Sequence, residues 1–149
     1  MNADGSGQVA LTTGPDLSNL PAWSADGSKI VFVRGQPSNW HIWVMNADGS
    51  GQTRLSYAGN EETFPDWSPD GSKIVWESDH TIRVMNSDGT GVVTLTPGNT
   101  PAWSPDGAKI VFGSSPANDL LVMNPDGTEI AHIPNSSASG SGGYSTHPD

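Results

Sequence analysis

The stretch Pro65-Asp66-Trp67-Ser68-Pro69-Asp70-Gly71-Ser72-Lys73-Ile74-Val75-Trp76 decides the fold, because it recurs. The same pattern stands as Pro21-Ala22-Trp23-Ser24-Ala25-Asp26-Gly27-Ser28-Lys29-Ile30-Val31-Phe32, and again as Pro101-Ala102-Trp103-Ser104-Pro105-Asp106-Gly107-Ala108-Lys109-Ile110-Val111-Phe112. A second motif keeps step with it at Met45-Asn46-Ala47-Asp48-Gly49, Met85-Asn86-Ser87-Asp88-Gly89 and Met123-Asn124-Pro125-Asp126-Gly127, with a further copy at Met1-Asn2-Ala3-Asp4-Gly5. Trp23 to Trp67 spans 44 residues and Trp67 to Trp103 spans 36. A period of about 40 residues suits four short strands per unit.

The chemistry inside each copy agrees. In Ser68-Pro69-Asp70-Gly71 the Ser hydroxyl can bond the turn backbone, Pro supplies the fixed φ, and Gly takes the positive φ. Asp-Gly between apolar runs is a strong hairpin signal, and two such turns per unit join strand a to b and strand c to d. Strand b, as in Lys29-Ile30-Val31-Phe32-Val33, is apolar on both faces, so both faces must be covered by neighbours, as in stacked sheets. The first unit is expected at about 19–56, with strands near 21–24, 28–34, 40–46 and 51–56. The second is expected at 64–96 and the third at 100–133, making 1–134 three blades and 135–149 a Ser/Gly-rich tail of linker composition. Residues 6–12 match the last strand of a unit whose first three strands are missing, so they read as an extra outer strand. The chain thus opens in mid-repeat, as a piece of a longer protein or a gene product starting at a repeat boundary would.

Composition narrows the function classes. The 149 residues include 18 Gly and 12 Pro, turn-rich all-β chemistry without a candidate helix. Six Lys and Arg against 16 Asp and Glu give a net charge of −10, which repels a phosphate backbone and argues against nucleic acid as a partner. Seven of the acids belong to Asp-Gly turns. There is no Cys, hence no thiolate chemistry, and no apolar run long enough for membrane insertion.

Together the two motifs, Pro-x-Trp-Ser-Pro-Asp-Gly followed by Lys-Ile-Val-Phe and then Ile-Trp-Val-Met-Asn-x-Asp-Gly, resemble the repeat of the TolB-like β-propellers over residues 1–133. The resemblance implies four-stranded antiparallel blades around a channel, strand a innermost. It also implies a role in protein interaction, an extracytoplasmic (periplasmic or secreted) location, and rings commonly of six blades. Related propellers serve as non-catalytic domains of serine peptidases. A closed ring takes roughly four to eight blades, so three blades need completion. A homodimer making six is expected, with residues 6–12 of one chain added by strand exchange to the third blade of the other, although 128–133 compete for that place. Free edges would otherwise invite aggregation.

No catalytic constellation is legible. The four His, at 41, 80, 132 and 147, have no metal-ligand spacing and are expected in exposed loops or the tail, and no Gly-x-Ser-x-Gly elbow occurs. Asn46-Ala47-Asp48-Gly49-Ser50-Gly51 resembles the start of a calcium loop, but its twelfth place is Tyr57. No cofactor and no metal are expected. Candidate binding residues are those where the copies differ. Asp66 replaces Ala22 and Ala102; with Asn60, Glu61 and Glu62 it would place acids at the channel for a cation or a basic partner group, or stand solvated in a wide channel. Trp40, His41 and Trp43 form a second cluster, Trp40 offering a ring for a sugar or peptide or else packing between blades. His80, Asp16 and Asn19 lie on the same loop face, made by the d-to-a loops (13–20, 57–64, 97–100) and b-to-c loops (35–39, 78–80, 113–117), opposite the Asp-Gly turns. The expected function is a non-catalytic binding or scaffold module for a protein, peptide or glycan. The alternatives are an accessory propeller cut from an enzyme, such as a serine peptidase or sugar-acting lyase, and a structural subunit that adds head to tail into a filament.

Overall fold

Two Asp-Gly turns fold each repeat into a four-stranded meander. The computed structural model describes residues 4–57, 61–114 and 119–133, and among them no helix occurs. The first sheet holds β1 (Leu17–Trp23), β2 (Lys29–Gln36), β3 (Asn39–Asn46) and β4 (Thr53–Arg54) in that order. The second holds β5 (Glu62–Trp67), β6 (Lys73–Ser78), β7 (Thr81–Asn86) and β8 (Val93–Pro97), and the third β9 (Asn99–Trp103), β10 (Ile110–Gly113), β11 (Leu120–Met123) and β12 (Ala131–His132). All pairings are antiparallel. The blade architecture read from the repeat is therefore the observed one.

The a-to-b turns are held by side chains as well as backbone. The Ser68 hydroxyl donates to Asp70 Oδ1 at 2.6 Å and accepts the Lys73 N–H at 2.9 Å, while the Ser72 N–H donates to Asp70 Oδ1 at 3.0 Å. Ser24-Asp26 and Ser104-Asp106 repeat this arrangement. The repeated Lys has a partner too: Lys29, Lys73 and Lys109 reach the side-chain oxygens of Asn46, Asn86 and Asn124 at 3.2, 3.3 and 2.6 Å. Each blade thereby ties its two motif turns together.

Between the sheets lies the core. Val31, Val33 and Ile42 of the first sheet pack on Trp67, Ile74, Trp76 and Met85 of the second. On the second sheet's other face, Val75, Ile82 and Val84 pack on Ile110, Phe112 and Met123 of the third. Alternation along each b strand explains this, since successive side chains face opposite neighbours and both faces of the middle sheet are covered.

Two expectations change. Residues 13–20, 57–64 and 97–100 were expected as loops, but β1 begins at Leu17, β5 at Glu62 and β9 at Asn99, because each inner strand continues through a bulge at its Pro. Residues 6–12 form no strand here; the outer place of the third sheet is taken by β12 of the same chain, paired as Leu121 with His132 and Val122 with Ala131. The tail from 134 onward lies outside the described residues.

Candidate functional site

The inner strands β1, β5 and β9 lie side by side, and each carries Pro at its middle: Pro21, Pro65 and Pro101. Proline offers no N–H to the ladder, so the pairing slips there. The register shifts between Asn19 and Ala22 in β1 and between Thr63 and Asp66 in β5, and β9 shows the same slip against Val111 and Gly113 of β10. The residues ahead of the prolines, Leu20, Phe64 and Thr100, adopt φ of 48°, 51° and 45°, a left-handed conformation unfavourable for side chains of this kind. The three dipeptides converge, with Asp66, on an open groove of about 300 Å³. Leu20 and Phe64 are both exposed there.

Asp66 sits at this groove but is not a free carboxylate. Its Oδ2 accepts the Trp103 N–H at 2.8 Å, clasping the second sheet to the third. Burial pushes its carboxyl above the ordinary value, opposed by the backbone N–H groups of Trp103 and Trp67. The acids expected beside it are dispersed. Glu62 is fully buried between the first and second sheets; it accepts from the Ser56 hydroxyl and pairs with His41 Nδ1 at 3.1 Å, while its Oε1 has no hydrogen-bond partner. Glu61 is exposed, its backbone engaged with Asp79. Asn60 lies outside the described residues.

His41 is buried, which corrects the expectation of exposed loop histidines; its Nε2 meets Asn39 Oδ1 at 2.9 Å. His80 and His132 are exposed, near Glu77 and Asp119, and His147 lies outside the described residues. Trp40 is half-buried and packs against the first core cluster. Trp43 packs on Ile30, Phe32 and Met45 with the Arg34 guanidinium 5.4 Å over its ring. Asp16 accepts from Gln36 at 2.9 Å and lies 3.8 Å from Arg34. Asn19 lines a separate groove on the outer face of the first sheet.

Sequence reasoning missed two features. Glu77 is buried and accepts the Thr100 N–H at 3.1 Å, a second clasp on the same seam as Asp66. Its signal was a carboxylate where the first blade has Val33. The positive-φ residues were also missed, although the recurrence of residue-Pro at equal places marked them.

Similarity to known proteins agrees with the geometry. The TolB-type structure from Agrobacterium tumefaciens superposes with a TM-score of 0.71 at 26% identity, covering 82% of this chain and 50% of that one. The crystal structure of TolB from Acinetobacter baumannii gives 0.76 at 18% identity, covering 90% of this chain and 36% of that one. The fold is that of a TolB-like propeller fragment. A nidogen–laminin complex also matches, with a TM-score of 0.64 at 14% identity over 78% of this chain and 48% of that chain, a likeness of fold alone. The chain spans half or less of the length of each of these structures. No family model matches the sequence, and no curated protein matches it.

Proposed function

We propose that the chain is a non-catalytic propeller module that binds a protein partner, acting outside the cytoplasm, with its ring completed to six blades by a second copy. The observation that carries the binding role is the groove built from Leu20-Pro21, Phe64-Pro65 and Thr100-Pro101. Three backbone positions held in an unfavourable conformation at one place are a mark of a functional surface, and two of the three present exposed apolar side chains. The likeness to TolB supports a protein as the partner, and an extended segment with an apolar side chain fits the groove. Trp40, the residue that would stack on a glycan, is engaged in the core, so a peptide is favoured over a sugar.

Selection of peptides from a random library on the wild-type protein, followed by titration of the selected peptides, tests this. Phe64→Ser should weaken binding at least tenfold with the fold intact by circular dichroism, while His80→Ala, away from the groove, should not. Peptides that bind both variants equally, or selection that yields none, would remove the groove as the binding site.

A further inference from the structure

Three outer segments place a Leu on the blade that follows them. Leu55, following β4, lies against the second sheet's Met-Asn-Ser-Asp-Gly turn, where a Cβ added to Gly89 would stand 3.2 Å from the Leu55 carbonyl oxygen. Leu95 of β8 occupies the corresponding place on the third sheet, 3.3 Å from such a Cβ on Gly127. Leu11 completes the series on the first sheet: the Cβ on Gly49 would stand 3.1 Å from its carbonyl oxygen, which also accepts from Gln52 Nε2 at 2.9 Å. Leu11 packs with Ile30, Phe32 and Met45. Leu11 thus takes the seat that the outer strand of a preceding blade would fill, with Val9 presented to solvent at 75% exposure.

The chain also carries the two faces that such a seam needs. At the inner seams Trp67 is 6% exposed and Ile42 and Ile82 are 0% exposed. Their counterparts on the free faces are Trp23, 58% exposed on the first sheet, and Leu120, 60% exposed on the third. The third sheet's own outer strand is weakly held. Leu55 N–H donates to the Ile42 carbonyl at 2.8 Å, but the matching bond from Ile133 to Leu120 is 3.3 Å, and Ile133 is exposed where Leu55 is buried.

Resting on the ring-completion reading above, we propose that residues 6–11 of one copy add to β11 of a second copy and displace its β12. The register follows from the existing sheets. Thr53 pairs with Val44, Val93 with Val84 and Ala131 with Val122, so Val9 of one copy faces Val122 of the other, and Leu11 N–H takes the Leu120 carbonyl. Displacing β12 costs two residue pairs with little burial, whereas Leu11 keeps its seat. The same apolar residue types then meet across the new seam as across the two inner ones.

Two measurements test it on the 149-residue chain. In light scattering over a concentration series, removal of residues 1–12 should raise the dimer dissociation constant at least tenfold. Because the chain has no Cys, the double variant Val9→Cys, Val122→Cys should oxidise to a covalent dimer, while Ala131→Cys, Val122→Cys should close within one chain in dilute solution. A wild-type dimer whose Val9–Val122 variant does not cross-link, or which survives the deletion unchanged, overturns strand exchange and leaves ring completion standing. A wild-type monomer at every concentration overturns ring completion itself and assigns the seat to a blade of another chain.

Discussion

The two inner seams are built from one repeat yet are fastened differently. Between the first and second sheets a parallel backbone bridge of Trp40 with Glu61 is joined by a side-chain cluster of buried Glu62, His41 and Ser56. Between the second and third it is carboxylate to backbone, Asp66 to Trp103 N–H and Glu77 to Thr100 N–H. The apolar part is shared: a Trp or Phe, an Ile and a Met from one sheet against Val and Ile from the other. The repeat therefore supplies blade stacking in general, and the departures from it make each seam distinct. A copy of one blade would not fit both seams equally.

The largest effect should come from the shared apolar layer. Trp76 is almost fully buried in the first seam and Phe112 in the second, and truncation of such a residue to Ala costs about 3–5 kcal/mol. Trp76→Ala and Phe112→Ala should both lower the urea midpoint strongly at every protein concentration, whereas Trp23→Ala should cost less than about 1 kcal/mol in dilute monomer and more once a second copy covers that face. Similar losses for Trp23 and Trp76 would mean that the first sheet's outer face is covered in solution.

Next come the fastenings. His41→Ala removes the ring nitrogen beside the buried Glu62 carboxyl group, leaving that group with Ser56; a buried polar group left short of a partner costs about 1–3 kcal/mol. Asp66→Ala leaves a backbone N–H unmatched at the other seam, a loss of about 1–2 kcal/mol. The double variant should show the two losses adding, since the seams share neither partner. Coupling beyond about 0.5 kcal/mol would show that the seams open together.

These fastenings are the part the sequence hid. The turns and b strands were legible because Ser-x-Asp-Gly and Lys-Ile-Val-Phe recur, and periodic alternation fixes which side chains face which neighbour. His41, Glu62 and Glu77 each occur once, at places where the other copies hold different residue types, so no pattern could pair them. Their contacts span different blades, and blade-to-blade placement is set by packing rather than by local chain direction. Asp66 was visible as an exception, but its partner was not, because a backbone N–H carries no sequence signal. The recurring residue-Pro step was visible too; taking Pro21 as the start of a strand hid the bulge that lets the strand run through it.

The smallest effect separates turn acids from seam acids by pH. Asp26 and Asp70 are held at about 2, first by the Ser24 and Ser68 hydroxyls and then by the Ser28 and Ser72 N–H groups and hydroxyls. A carboxyl whose folded pKa lies below the unfolded value of about 3.9 stabilises the fold fully above that value. Its contribution fades as pH falls through about 2. Asp66, raised chiefly by burial, has the opposite sign: the folded state favours its proton, so ionisation as pH rises through the folded value costs stability, and acidification toward the unfolded value restores it. Denaturation midpoints measured at fixed pH should therefore fall less steeply below about pH 4 in Asp70→Asn than in the wild type. Asp66→Asn should instead remove a gain in stability just above about pH 4. Asn keeps an acceptor oxygen for the Ser72 N–H at one place and for the Trp103 N–H at the other, so these backbone bonds persist when the charge is removed. Identical acid limbs in wild type and Asp70→Asn would show that the turn carboxylates are equally well held in the unfolded chain, which a local Ser-x-Asp hydrogen bond surviving denaturation would explain.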